Sequence, residues 1–280
     1  MTALRKRMIE DMRLRGLLPG TQQRYLESIR NLARYFKRSP DQLSEQEIRD
    51  FFVYLTEERH LARSTITVNV CAVKFLYEKT LQRKWPLLDL IRVKPKKKLP
   101  VVLSPKEVRV VLSYVHRPDA HLCLIMMYSC GLRASEATHL RPTDIDSQRM
   151  VVCVRNGKGA KDRYVTLPQR TLEQLRAYWQ EYRPPLWLFP SRNGLTPLPR
   201  TTVHRALKAA LHQSNIEKKV SCHTLRHSYA THLLEKGVDL RVIQALLGHR
   251  SIKTTFIYLH LTQSTLKAVH RAVDDLMADL

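Results

Sequence analysis

The sequence predicts a mainly α-helical protein with a small β-sheet, an α+β chain in two domains. Three observations carry this. Apolar residues return at helical spacing through most of the chain, two short β-type runs flank a polar, glycine-containing turn, and 280 residues is about the length of two ordinary domains.

Residues 1–93 read as a small all-helical domain. Thr21 is placed to cap a helix whose Tyr25, Ile29, Leu32 and Phe36 share one face, and Ser44 with Glu47 forms a capping box ahead of Ile48–Leu55. A further helix follows Ser64 and carries Val68, Val70, Phe75 and Leu76. Residues 94–100, Lys-Pro-Lys-Lys-Lys-Leu-Pro, then read as an extended linker, because the prolines oppose helix and the lysines repel one another. Lys94, Lys96, Lys97 and Lys98 are also candidates to track phosphates.

Residues 101–280 read as a second, mixed domain. Ser104, Pro105 and Glu107 combine a capping box with proline at the first helical position. Residues 119–130 are apolar enough for a core helix, stopped by Gly131. Residues 150–154 and 163–167 alternate as two strands around the turn at 155–162. Helical periodicity resumes over 171–182, 201–213, 223–237 and 239–248, with Gly237 and Gly248 as C-caps, and Tyr258 falls in a helix starting near Ser251. From about residue 262, Leu266, Val269, Val273, Leu276, Met277 and Leu280 form an apolar helical stripe.

Composition narrows the function. Lys and Arg outnumber Asp and Glu by 48 to 25, for a formal net charge of +23. Residues 1–100 contribute +11 and the remainder +12. Excess charge in both halves points to a polyanion faced by both, and nucleic acid suits that better than a membrane surface, which would favour one basic amphipathic helix. No run approaches the roughly 20 apolar residues of a membrane span. The N-terminus also lacks the apolar core of a secretory signal, so cytoplasmic, nucleoid-associated residence is the expectation. The five cysteines form no CxxC pair and read as buried thiols, and no zinc-ligand spacing is present.

Three local patterns carry chemistry when taken together: Gly131-Leu132-Arg133-Ala134-Ser135-Glu136, His223-Thr224-Leu225-Arg226-His227, and Leu247-Gly248-His249 followed nine residues later by Tyr258. In this order, with the hairpin between the first two, the chain resembles the tyrosine recombinase (lambda-type integrase) family, and within it the short Xer-like and integron-type members. The resemblance spans nearly the whole chain. It implies a SAM-like helical core-binding domain and a catalytic domain that clamp duplex DNA in a C shape.

The resemblance also implies roles. Arg133, His223, Arg226 and His249 fall on the family's catalytic positions, Tyr258 on its nucleophile, and Lys158 on its catalytic lysine, with Lys161 as the nearer rival and a further DNA-contact candidate. The implied reaction is site-specific cleavage and rejoining of DNA through a 3′-phosphotyrosyl intermediate and a Holliday junction. The implied partners are double-stranded recombination sites and three further copies of the chain, joined by exchange of the C-terminal helix, with no small-molecule substrate.

Physical chemistry asks for the same residue types. Attack on a phosphodiester builds charge on two non-bridging oxygens, and an arginine donates two hydrogen bonds there without losing its own charge. Tyrosine ionises near 10, so forming its anion at neutrality costs roughly 4 kcal/mol unless a base or cations assist. His223 is a candidate base, His249 a group that orients phosphate or nucleophile, and Lys158 an acid for the departing 5′ oxygen. Because a phosphotyrosyl bond conserves the phosphodiester's energy, neither ATP nor metal is expected as a cofactor. The chain has no Walker-type loop.

Each residue alone also has a plain structural reading: a solvated arginine, a packed aromatic, a turn lysine. Order and spacing of all five features weigh against chance. His227 is read as supporting, Glu136 as bracing the active-site helix and Asp144 as structural. Two other functions share parts of this pattern: type IB topoisomerase-like relaxation, which uses the same nucleophile chemistry, and a catalytically silent DNA-binding accessory protein, which needs no nucleophile.

Overall fold

The computed structural model describes residues 2–83, 99–155, 162–249 and 251–261. The chain divides into two compact units, Met1–Lys98 and Leu99–Leu280. The linker lysines Lys94, Lys96, Lys97 and Lys98, the hairpin lysines Lys158 and Lys161, and the C-terminal stripe from 262 all lie outside the described residues.

The first unit is helical, with α1 (Ala3–Leu14), α2 (Pro19–Phe36), α3 (Glu45–Glu57) and α4 (Arg63–Phe75). α1 precedes the helices expected from periodicity; Thr2 caps it, and it buries Met8 and Met12. α2 starts two residues before Thr21. Leu18 holds the cap position without a side-chain bond, and Pro19 begins the helix, where its fixed φ is already helical and its missing N–H is not needed. The Ser44–Glu47 capping box forms as expected at α3, which buries Ile48, Phe51, Phe52 and Leu55. α4 buries Ile66, Asn69, Ala72 and Val73, with Val68 and Val70 partly buried. Its last turn widens into a π-turn over Leu76–Thr80 that buries Leu76 and Tyr77, and the Tyr77 hydroxyl donates to the Pro40 carbonyl.

The second unit contains α5 (Pro105–Ser113), α6 (Pro118–Ser129), α7 (Ala134–Thr138), the strands β1 (Ile145–Asp146), β2 (Val151–Val154) and β3 (Arg163–Thr166), then α8 (Gln169–Tyr182), α9 (Arg200–Gln213), α10 (Cys222–Glu235) and α11 (Leu240–Leu247). α5 carries the Ser104–Glu107 capping box with Pro105 at its start. α6 buries Ala120, Leu122, Leu124, Met126 and Met127 and is the hub against which α7, α8, α9 and α10 pack. The expected hairpin is present as β2 and β3, in the register Val152 opposite Val165. A third strand, β1, adds antiparallel to β2 through Ile145 opposite Val152.

Two details of this unit place the site. Gly131 follows α6 at φ +63°, and a Cβ there would lie 2.5 Å from the Tyr229 ring. The chain therefore turns against α10 at the one residue type that fits, which carries Arg133 to the mouth of α7. Gly248 caps α11 in the left-handed conformation (φ +61°) and releases His249 from the helix end. The segment after it is two 3₁₀ turns, Ile252–Thr254 and Phe256–Leu261, rather than the α-helix expected near Ser251. Among the described residues, no helix is long and apolar enough to cross a membrane.

Candidate active site

Arg133 is the N-cap residue of α7, and Glu136 lies one turn on, where its carboxylate reaches back. Oε2 accepts the Arg133 backbone N–H at 2.8 Å, and Oε1 accepts Arg133 Nη1 at 2.6 Å. This spacing, three residues apart at a helix start, is the geometry of a capping box closed by the glutamate. The same carboxylate is gripped from the sheet by Arg163 of β3, whose Nη1 and Nη2 donate at 3.0 and 2.8 Å. Arg226 Nη1 stands 3.7 Å from Glu136 Oε2. One carboxylate thus meets three guanidinium groups.

Arg226 is 3% exposed on α10. Its two Nη groups donate to the carbonyls of Gly131 and Leu247, which fixes the plane of the fork between the turn before Arg133 and the end of α11. Burial, with the Arg133 charge second, pulls its pKa down to about 9, still protonated at neutrality. Burial alone would raise the Glu136 carboxyl, but hydrogen bonds and charge from Arg163 and Arg133 overcome it and hold it at about 2. The cluster therefore carries three positive charges against one negative. Desolvated cations in excess of their counter-charge are favourable only with an anion at hand, and a phosphate has that charge and the oxygens to accept a forked donor.

Tyr258, in the second 3₁₀ turn, is 1% exposed and packs with Tyr229, Ala230, Ile243 and Leu247. Its hydroxyl lies 3.0 Å from Nδ1 of His227. Burial raises its pKa, and Arg226 and Arg133 oppose that rise. His249 holds its ring 15° from the Tyr258 plane at 6.4 Å between centroids, with Nδ1 3.0 Å from the Thr255 hydroxyl. Burial, then Arg226 and Arg133, lowers its pKa to about 4. His223, the second residue of α10, reaches solvent; surrounding protein and the charges of Arg226 and Arg133 lower its pKa as well.

The fold thus gathers Arg133, Arg226, His249 and Tyr258 around one centre, with His223 at its edge. It differs from the sequence reading in one contact: the imidazole that meets the tyrosine hydroxyl belongs to His227, not His223. The helix explains this, since residues 223 and 227 are one turn apart and only the second lies level with the 3₁₀ turn. Arg163 was not singled out from the sequence. Its signal was available, as an arginine opening a strand in register with a buried valine, but its partners are 27 and 83 residues away. Glu136 braces α7 as expected. Asp144 is buried, accepting Arg141 N at 2.9 Å and Arg155 Nε at 2.7 Å, a structural role.

A buried tyrosine set against two arginines and two imidazoles, on a helical domain with a small sheet, is an arrangement suited to phosphodiester strand transfer. Residues 102–265 match the phage integrase family and residues 4–87 its N-terminal SAM-like domain, and the chain belongs to this family. It is 47% identical over 263 residues to the integrase/recombinase-type sequence y4qK of Sinorhizobium fredii, covering 93% of this chain and 85% of that one. It is 31% identical over 259 residues to a tyrosine recombinase of Thermosipho africanus, covering 86% and 88%. The crystal structure of XerA recombinase matches with a TM-score of 0.56 at 27% identity, over 97% of this chain and 98% of that one. The chain is a tyrosine-type site-specific DNA recombinase; neither topoisomerase-like relaxation nor a silent accessory role is favoured by these relatives.

Proposed function

We propose that Tyr258 is the nucleophile of this recombinase: it attacks a DNA phosphate to give a 3′-phosphotyrosyl enzyme, and strands then rejoin in exchanged order through a Holliday junction. The observation that supports this most directly is the meeting of Tyr258, His249, Arg226 and Arg133 from four separate elements around one cationic centre. Arg133 and Arg226 clamp the non-bridging oxygens, a role whose loss costs about 2.7–4 kcal/mol of transition-state stabilisation per donor. His223 contacts the phosphate from its exposed position, and His249 steadies the tyrosine ring. Lys158, with Lys161 as its rival in the same turn, protonates the 5′ oxygen as it leaves. Cleavage conserves bond energy, so the reaction proceeds without metal or nucleotide.

The helical unit holds DNA as the core-binding domain and the second unit is catalytic. Lys94, Lys96, Lys97 and Lys98 track phosphates. Four copies synapse two sites, linked by exchange of the helix from about 262, and the outcome is integration, excision or resolution in the cytoplasm.

The test is covalent capture. Sheared genomic DNA of the source organism is incubated with the protein in EDTA, adducts are trapped with detergent, and the joined ends are sequenced to define a site for nicked suicide duplexes. Wild type yields adducts in EDTA, and Tyr258→Phe yields none. Absence of any wild-type adduct, or adducts from Tyr258→Phe, overturns the assignment.

A further inference from the structure

The contact between His227 and the Tyr258 hydroxyl has no part in the roles assigned above. The hydroxyl of a fully buried tyrosine needs a partner, and here it has one at 3.0 Å on a ring nitrogen. The rings stand 5.7 Å apart at 53°, which places Nδ1 beside the hydroxyl instead of stacking the faces. His227 follows the buried Arg226 on α10, and the charge of Arg226 acts on both the His227 ring and the Tyr258 hydroxyl.

We propose that His227 is a further catalytic residue for strand cleavage: its Nδ1 accepts the proton of the Tyr258 hydroxyl as that oxygen attacks phosphorus. This rests on Tyr258 being the nucleophile. In the step, the bond from Tyr258 Oη to phosphorus forms and the bond from phosphorus to the 5′ oxygen breaks. The tyrosyl proton moves to Nδ1, giving an imidazolium, and the 5′ oxygen takes a proton from the lysine of the hairpin. Rejoining reverses each transfer, returning the His227 proton to the tyrosine.

The surroundings suit an acceptor. Burial first, then His223 and Arg226, keeps the ring neutral, with a pKa of about 4, so one ring nitrogen holds a lone pair at neutral pH, and the Nε2–H tautomer puts it on Nδ1, facing the hydroxyl. The groups facing this centre are His223 and Arg226 from α10, Arg133 and Glu136 from α7, Arg163 from β3, and His249 after α11. Binding an anionic phosphate among these cations raises the basicity of His227 as the reaction begins. His223 reaches solvent, and the structure records no bond from it to the tyrosine hydroxyl among the described residues.

The experiment measures single-turnover covalent-complex formation on the nicked duplex defined by capture, from pH 6 to pH 9, for wild type, His227→Ala, His227→Gln and His223→Gln, together with binding of the same duplex. General-base catalysis is typically worth about 10²–10⁴-fold. Expected results are a loss of at least about 100-fold in His227→Ala at pH 7 with unchanged binding, and a rate that then climbs about tenfold per pH unit while wild type stays level. His227→Gln, which accepts a hydrogen bond but no proton, does not rescue. His223→Gln slows the reaction without acquiring the slope. A His227→Ala rate near wild type, rescue by glutamine, or the slope appearing in His223→Gln overturns the proposal. A second readout needs no variant of His227: in wild type, nitrogen-15 NMR shows the ring as the Nε2–H tautomer with an Nδ1 signal that moves in Tyr258→Phe, and an Nδ1–H tautomer contradicts the acceptor role. Adduct formation by Tyr258→Phe instead removes the nucleophile assignment itself.

Discussion

Replacing Glu136 with glutamine tests how the cationic centre is held together. The side chain is 7% exposed and meets Arg133, Arg163 and Arg226. A carboxyl carried from its ordinary 4.5 down to about 2 is worth about 3 kcal/mol, at ~1.36 kcal/mol per pH unit. Breaking a buried ion pair from one side costs a similar ~3–5 kcal/mol, because the cations left behind stay desolvated. The sign follows from linkage: a depressed carboxyl stabilises fully above its unfolded pKa and loses that stabilisation as pH falls from about 4.5 towards about 2. Urea unfolding followed by tryptophan fluorescence reads this out, since Trp179 and Trp187 both lie in the second unit. Glu136→Gln should be about 3 kcal/mol less stable than wild type at pH 7, and the gap should close as the solution is acidified. A gap under about 1 kcal/mol at pH 7, or one that does not change with pH, refutes the claim that this carboxylate holds the three arginines.

Gly131→Ala forces a Cβ to 2.5 Å from the Tyr229 ring at φ +63°; left-handed strain of roughly 1–2 kcal/mol and overpacking of roughly 1–3 kcal/mol should lower stability by both amounts, which a urea midpoint measures. The rings of His227 and His249 should titrate near pH 4 by NMR; because the unfolded rings take protons near 6.5, stability should begin to fall as pH drops below that value and continue falling to about 4. Alkylation by iodoacetamide should mark exposed Cys71 first and spare Cys123, Cys130 and Cys222, whose thiols burial pushes up; early loss of Cys123 in peptide mapping contradicts the packing of α6. Ser104→Ala removes the cap of α5 and should cost about 1 kcal/mol in the same urea assay.

What the sequence made legible was local chemistry. Both capping boxes form where Ser44 and Ser104 stand three residues before a glutamate, because all the atoms involved lie within one turn. Pro19 outranks Thr21 as a helix start for a reason equally local, though two start signals compete there and backbone preorganisation prevails. The helix after Ser64 is present as α4, but which of its faces is buried was not legible: the helix turns Ile66, Asn69, Ala72 and Val73 inward, and Asn69 satisfies its amide on the Thr65 carbonyl. Strand β1, two residues long, carries no alternation to read. Within the site, motif order pointed to Arg133, Arg226, His249 and Tyr258, whereas Arg163 and the pairing of His227 with Tyr258 depend on which residues the fold brings level across long sequence separations. Lys158 and Lys161 remain expectations from the motif.

One tyrosine among eleven, Tyr258, is proposed to carry the DNA. The most direct measurement digests the trapped protein–DNA adduct with protease and nuclease and locates the nucleotide-bearing residue by mass spectrometry. A single modified peptide is expected, joined at Tyr258 to the 3′ phosphate of the cut strand. A nucleotide on any other residue, or joined through a 5′ phosphate, contradicts it.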